Sequence, residues 1–255
     1  MAEILKPRVV AVIPARFAST RFPAKIIAPL MGHPLVFHTC QRALEARLVD
    51  KVLVATDHEA VVAALAPYDI EVVLTRADHE SGTDRIAEVA RNLDADIVVN
   101  VQGDEPIVDS GTIDQCIEAL LKDPSIQMAT ARRRITDPAM IADPNVVKVV
   151  STPLGQALYF SRLPIPYLRD GSDQAHECDY WQHIGLYAYR RDFLLHYSHL
   201  PQTPLEKAEK LEQLRVLEHG HPIAVVTTDY VAVGVDVPAD LARVTALMQQ
   251  RAAEG

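Results

Sequence analysis

The chain has 255 residues, 49% of them hydrophobic and 23% charged, with 34 acidic against 25 basic side chains and a formal net charge of -9. That length supports the core of one α/β domain with room for an inserted subdomain. The acidic balance excludes general nucleic-acid binding, which needs a broad basic face to displace counterions from the backbone. It is compatible with a small phosphorylated ligand held at a local basic loop.

The apolar run nearest the N-terminus is far shorter than a membrane span, and no small-residue cleavage site follows it. The expectation is a cytoplasmic protein with neither signal peptide nor membrane helix. Cys40, Cys116 and Cys178 are odd in number and widely spaced, which supports neither a disulfide framework nor a thiolate zinc site.

Residues 9–13, VVAVI, read as a central strand covered on both faces and stopped by Pro14. Arg16, Arg21 and Lys25 follow on a loop spaced by small residues, and no Asp or Glu lies between Glu3 and Glu45. This unneutralised local charge suits an anionic ligand, so the loop reads as the floor of a phosphate site. A helix is predicted over 34–47 from the spacing of Val36, Cys40, Ala43 and Leu44, then a strand over 51–56. Asp57-His58-Glu59 opens the next helix, 72–74 forms a third strand, and a helix follows Ser81-Gly82-Thr83-Asp84-Arg85. Residues 97–101 make a fourth buried strand that runs into Gln102-Gly103-Asp104-Glu105-Pro106, with a helix after it. Strands alternating with helices predict a parallel sheet whose ligands bind beyond the carboxyl ends of the strands, so these loops share one rim.

From 127 the rhythm breaks. Strands over 128–135, 146–151 and 157–160 lack intervening helices, residues 163–174 read as an exposed loop or lid, and 183–189 returns as a strand. A helix is expected over 205–218, a strand over 223–227, and a final helix carrying Leu241, Val244 and Met248. The predicted fold is α/β, with a Rossmann-like, mostly parallel sheet and an inserted antiparallel α+β subdomain. Its core is assigned to 1–126 and 215–255, and the insert to 127–214.

Asp104, at a strand end beside a glycine that admits close backbone approach, suits Mg²⁺ shared with substrate phosphates; equally, it suits a turn in which the carboxylate bonds backbone amides. Asp236 precedes Pro238 and has the position of an N-cap for the last helix. Two strand-end aspartates on one rim also form a pair able to hold metal against a nucleoside triphosphate. Ser81, Gly82 and Arg85 open a helix whose amides face the same rim, for an anion or a base edge, or simply as a capped helix. His176, Cys178, Asp179 and His183 match no compact zinc spacing. His183 and Tyr187, at i and i+4 on a strand, share a face that either packs the core or lines a polar ligand. Glu212 and Gln213 lie on a leucine-bearing helix where a solvated face is the default. Asp94-Ala95-Asp96 has the letters of a glycosyltransferase D-x-D but precedes its strand.

The segments PARFASTRFPAK, TRADHESGTDR, VVNVQGDEP, NVVKVV, ALYFSRLPIPY, HIGLYAYR, LEKAEKLEQLRVLEHG and GVDVPADLARV occur in this order. In that order the chain resembles the 3-deoxy-manno-octulosonate (Kdo) cytidylyltransferases, the CMP-Kdo synthetases, over nearly its whole length. The resemblance implies a nucleotide-diphospho-sugar transferase fold. It implies that Pro14, Ala15, Arg16, Ser19, Arg21 and Lys25, with Ser81, Gly82, Arg85, Gln102, Gly103 and Asp104, bind CTP. It implies Mg²⁺ at Asp104 and Asp236, and a 2-keto-3-deoxy sugar acid at Gln102, His183, Tyr187, Glu212 and Gln213. Arg16, Lys25, Asp104 and Asp236 would carry catalysis in a homodimer that makes CMP-Kdo and pyrophosphate for lipopolysaccharide biosynthesis.

One departure stands out. The family pattern has Pro-Gly-Lys where this chain has Pro23-Ala24-Lys25, followed by Ile26 in place of a frequent proline. Ala24 lacks glycine's freedom at positive φ, so the loop and Lys25 are expected to sit differently. Two other readings are a cytidylyltransferase for a variant sugar acid, such as an 8-amino analogue, and a non-catalytic nucleotide-sugar binding subunit.

Overall fold

Strand β1 (Val9–Ala15) lies in the interior of the sheet, and its alternation explains the unbroken apolar run: Val9, Ala11 and Ile13 enter the core on one face, Val10 and Val12 the core on the other. This computed structural model describes residues 6–19, 21–169 and 178–254. Contrary to expectation, Pro14 continues β1 instead of stopping it, paired in register with Ala55. The missing N–H is tolerated because Pro14 faces the same side as Val12, towards a neighbouring strand whose pairing with β1 ends at Val12.

After β1 come a single 3₁₀ turn (Lys25–Ile27) and a short hairpin, β2 (Pro29–Leu30) and β3 (His33–Pro34). Then α1 (Leu35–Leu44), β4 (Lys51–Thr56), α2 (Glu59–Leu65), β5 (Glu71–Leu74), α3 (Gly82–Ala90), β6 (Ile97–Asn100) and α4 (Ser110–Lys122) keep the predicted rhythm. The next part of the chain holds β7 (Met128–Arg134), α5 (Pro138–Ala142), β8 (Lys148–Ser151), β9 (Ala157–Ser161) and β10 (Trp181–Arg190). It closes with α6 (Arg191–Tyr197), α7 (Pro204–Glu209), α8 (Gln213–Glu218), β11 (Ile223–Thr227) and α9 (Pro238–Glu254).

The sheet order is β11-β7-β10-β6-β1-β4-β5, with the β8–β9 hairpin attached to β10. Pairs β6/β1, β1/β4, β4/β5 and β11/β7 are parallel, and β10 is antiparallel to both β6 and β7. Helices α1, α2, α4 and α9 bury their apolar stripes on one face; α3, α6 and α8 cover the other. The segment 127–214 therefore extends the central sheet through β7 and β10 as well as projecting from it as the hairpin.

Two local predictions are corrected. The helix expected over 205–218 is broken in two: Lys210 ends α7 in the left-handed conformation (φ 55°). The fold-back is held by Arg215, whose guanidinium donates to both carboxylate oxygens of Glu206 at 2.8 and 2.5 Å. In β10 the register against β7 shifts between Ile184 and Tyr187, so strict alternation from His183 to Tyr187 is interrupted. Of the expected lid, 170–174 lies outside the described residues, as does His176.

The rim loops depend on one close approach. A Cβ on Gly103 would lie 2.8 Å from both the Pro14 carbonyl and Ile26 Cδ1. Gly103→Ala is expected to cost about 1–3 kcal/mol through overpacking against β1. Denaturant unfolding checks this, and an unchanged midpoint would contradict it.

Candidate active site

Beyond the carboxyl end of β1 the backbone of the cationic loop is pinned from behind. Thr56 Oγ1 donates to the Ala15 carbonyl (2.8 Å), and the Phe17 amide donates to Asp57 (3.1 Å). Asp57 pairs with Arg85 at 3.1 Å, and both side chains are buried. Arg85 also donates to Thr75 Oγ1 and the Arg76 carbonyl. The structure thus places Arg85 behind the loop as its brace rather than in the cleft. Arg16 lines the cleft and donates to the His79 carbonyl at 3.1 Å. Ala24 takes the left-handed conformation that a glycine would favour, φ 55° and ψ 23°. The loop keeps that turn at a cost of about 1 kcal/mol to an alanine.

That turn delivers Lys25. Its Nζ lies 2.6 Å from Asp104 Oδ2 and 3.2 Å from Asp236 Oδ1, and Arg21 reaches the same Asp236 oxygen at 2.9 Å. Two carboxylates from loops 132 residues apart therefore converge on one ammonium. Their loops are tied by the Val235 amide donating to the Asp104 carbonyl (2.9 Å) and by the Tyr230 hydroxyl donating to Glu105 (3.1 Å). Asp236 is not the N-cap of α9, which starts at Pro238; its amide and that of Val237 donate to the carboxylate of Asp240, three residues into the N-terminal turn, at 2.9 and 3.0 Å. This leaves the Asp236 side chain to the rim. Burial pushes the Glu105 carboxyl up to about 7, with Asp104 adding to the shift.

Asp104 and Asp236 fit a magnesium ion by donor chemistry: hard oxygen ligands, already gathered round a positive charge, at a cleft whose ligand would supply the remaining oxygens. Among the described residues no group of three or more His, Cys, Asp or Glu is arranged to hold a metal. A two-carboxylate site completed by phosphate oxygens is the arrangement those residues permit.

The cationic cleft, about 360 Å³, is lined by Pro14, Arg16, Ser19, Arg21, Lys25 and Asp104, among others. It shares Arg16 and Ser19 with a wider cleft of about 700 Å³ bordered by Phe17, Asp57 and His58. On its other side it shares Gln102 with a cavity of about 230 Å³. The three spaces adjoin one another through these shared wall residues, with Gln102 between the cleft and the cavity. Gly82 lies in the cavity wall rather than in the cationic cleft; Ser81 caps α3, its hydroxyl accepting the Asp84 amide at 3.1 Å.

The cavity brings Tyr187, Glu212 and Gln213 together with Thr83, Asn100 and Tyr197. Glu212 accepts from Thr83 Oγ1 at 2.8 Å, and burial raises its pKa. The Tyr187 hydroxyl is 3.5 Å from Gln213 Oε1, while Gln213 Nε2 is buried without a protein partner, an unmet donor in a cavity-wall residue. Burial holds Tyr187 and Tyr197 neutral by raising both phenols.

His183 does not line this cavity. It sits behind Tyr187, ring centroids 5.5 Å apart, with Nε2 2.9 Å from Thr130 Oγ1. The Thr130 hydroxyl has one proton and faces the Ile184 and Leu186 carbonyls, so His183 is the donor and carries its proton on Nε2. Sequence reasoning missed Asn100, Tyr197 and the Asp57 brace. Asn100 had a signal, a lone amide ending an apolar strand; Tyr197 had none.

The family model described as cytidylyltransferase matches residues 10–223. The chain is 49% identical over 248 residues to 3-deoxy-manno-octulosonate cytidylyltransferase of Solibacter usitatus, covering 97% of each chain. It is 50% identical over 244 residues to the protein of that name from Geobacter metallireducens, covering 93% of this chain and 96% of the other. Among solved structures, CMP:2-keto-3-deoxy-manno-octonic acid synthetase complexed with CTP superposes with a TM-score of 0.90 at 42% identity, covering 96% of this chain and 99% of that one. A 4-diphosphocytidyl-2C-methyl-D-erythritol synthase from Anaerococcus prevotii, 14% identical, shares the fold with a TM-score of 0.62 over 95% of this chain and 96% of its own.

The buried imidazole generates a pH prediction. Burial lowers His183 to about 3, so between the ordinary value of about 6.5 and that point the unfolded chain binds a proton that the native state refuses. Stability from this group is complete above 6.5 and falls by about 1.4 kcal/mol per pH unit below it. Glu105 opposes this, since its raised pKa makes its contribution largest at low pH and lost as pH rises through about 7. In denaturation midpoints from pH 7 to 5, His183→Asn should therefore lose less stability on acidification than the parent. Equal slopes would contradict the neutral buried imidazole.

Proposed function

The chain belongs to the cytidylyltransferase family, and on that premise we propose that it transfers CMP from CTP to the anomeric hydroxyl of Kdo, releasing pyrophosphate. The observation that carries this reading is the adjacency of two spaces: a cationic cleft with two carboxylates at its rim shares Gln102 with a polar cavity. Its support includes the two relatives named 3-deoxy-manno-octulosonate cytidylyltransferase, at 49% and 50% identity.

In this reading the triphosphate lies along Arg16, Ser19, Arg21 and Lys25, and the sugar acid lies in the cavity against Tyr187, Glu212 and Gln213. Asp104 and Asp236 would hold Mg²⁺, which supplies positive charge to the phosphate oxygens when bound. Lys25 then turns from the carboxylates to the phosphates, and the cationic loop stabilises the charge that grows on the departing pyrophosphate. The anomeric oxygen forms the new bond to the α-phosphorus as the α–β bridge breaks; its proton leaves to solvent. The groove supplies chiefly alignment of the attacking oxygen with the breaking bond, a contribution large enough that no dedicated base is needed. Burial leaves the Gln213 donor free for a sugar hydroxyl. His183 acts from behind by fixing Tyr187 through ring contact.

The product is an activated Kdo suited to lipopolysaccharide assembly, made in the cytoplasm; no described helix is long and apolar enough to cross a membrane. The working form is a homodimer joined through the hairpin side. Leu154 and Leu158, on the β8–β9 hairpin, are 89% and 60% exposed, and Leu163 and Tyr167 beyond it are 69% and 85% exposed. Large apolar side chains at such exposure, close together in the sequence, suit an association surface.

Two experiments test these points. With CTP, Kdo and Mg²⁺, the parent should release pyrophosphate, and Asp104→Asn should lower turnover by about a hundredfold or more with an unchanged circular dichroism spectrum. A fully active variant would overturn the metal assignment. In sedimentation, Leu154→Lys combined with Leu158→Glu should shift the protein from dimer to monomer; an unshifted dimer would place the interface elsewhere.

A further inference from the structure

Lys210, at the edge of the cavity, is strained and charged, and among the described residues its ammonium has no partner. Apart from Ala24 and Met31 it is the only described non-glycine residue at positive φ, and Met31 simply makes the turn between β2 and β3. Glycine or asparagine would hold φ 55° with less strain, so the backbone alone gives no reason for lysine. Its carbonyl is fixed by Arg162 at 3.4 Å, whose Nε also donates to the Glu209 carbonyl at 2.8 Å. Every nearby acid is engaged: Glu206 with Arg215, Glu209 with Ser161 and the Arg162 amide, Glu212 with Thr83. The ammonium itself makes no hydrogen bond or ion pair with another described residue.

Gln102 lines both the cavity and the cationic cleft, and Lys210, Leu211 and Glu212 line both the cavity and a further cleft of about 190 Å³. A sugar whose anomeric hydroxyl must meet the α-phosphate enters with that carbon at the Gln102 end. Its polyol tail then extends towards Lys210. We propose that Lys210 is a specificity-determining residue that donates hydrogen bonds to the neutral hydroxyl tail of the sugar acid and repels a tail carrying an amine. This rests on the Kdo-transfer reading above.

The test compares the parent with Lys210→Gly, Lys210→Met, Lys210→Glu and Lys210→Arg, using CTP, Mg²⁺ and either Kdo or the same acid with its terminal hydroxyl replaced by an amine. Lys210→Gly should melt no lower than the parent, because glycine relieves the strain, yet raise KM for Kdo about tenfold while leaving KM for CTP unchanged. The preference for hydroxyl over amine should fall along the series lysine, methionine, glutamate, and arginine should retain it. A glycine variant with parental KM and preference would overturn the proposal while leaving the function standing. A parent that releases pyrophosphate with neither acid would overturn the function, and this inference with it.

Discussion

The structure turns on the meeting of Lys25 and Arg21 with Asp104 and Asp236. These charges come from three loops that only the parallel sheet brings to one rim. Their value is not chiefly stability: the Arg21 and Asp236 side chains are 68% and 52% exposed, and such pairs contribute little in water. What the meeting does is gather two carboxylates at one cleft while an internal cation keeps them from repelling each other. The neighbouring parts serve that end. Gly103 lets the Asp104 loop press against β1, Asp240 holds the turn that presents Asp236 by accepting its amide, and Asp57 with Arg85 braces the loop that carries Lys25.

Several departures from local comfort lie along the groove. Ala24 and Lys210 adopt left-handed backbone, Gln213 buries a donor without a partner, and Glu212 is a carboxyl raised by desolvation. Each costs the folded state something that an idealised sequence would avoid, and each sits where a ligand contact would return it. Elsewhere the two core layers obey simple alternation and helical spacing.

That contrast explains what was legible in the sequence. The sheet's parallel half could be read because burial on both faces leaves unbroken apolar runs, and the helices between them show their stripes. The rim could be read from charge: an acid-free stretch around Arg16, Arg21 and Lys25, and aspartates at strand ends. The break at Lys210 could not, because leucines continue at helical spacing through Leu211 and Leu214 while the fold-back is set by a buried Arg215–Glu206 pair distant in effect. Nor could the shifted register in β10, which sets His183 behind Tyr187, since alternation in one strand says nothing about extra residues opposite its partner. Arg85 read as a ligand contact through the family resemblance; that it pairs with Asp57 is a tertiary fact. The departure at Ala24 was legible as chemistry, but the backbone was set by the loop's need to deliver Lys25, and the alanine follows it.

The most direct test of the account follows the phosphorus. CTP radiolabelled at its α-phosphate, incubated with Kdo and Mg²⁺, should pass its label wholly into a sugar-linked CMP while the pyrophosphate leaves unlabelled. Label left in CTP despite tight nucleotide binding, or recovered only as free CMP, would contradict a groove built to join the anomeric oxygen to the α-phosphate.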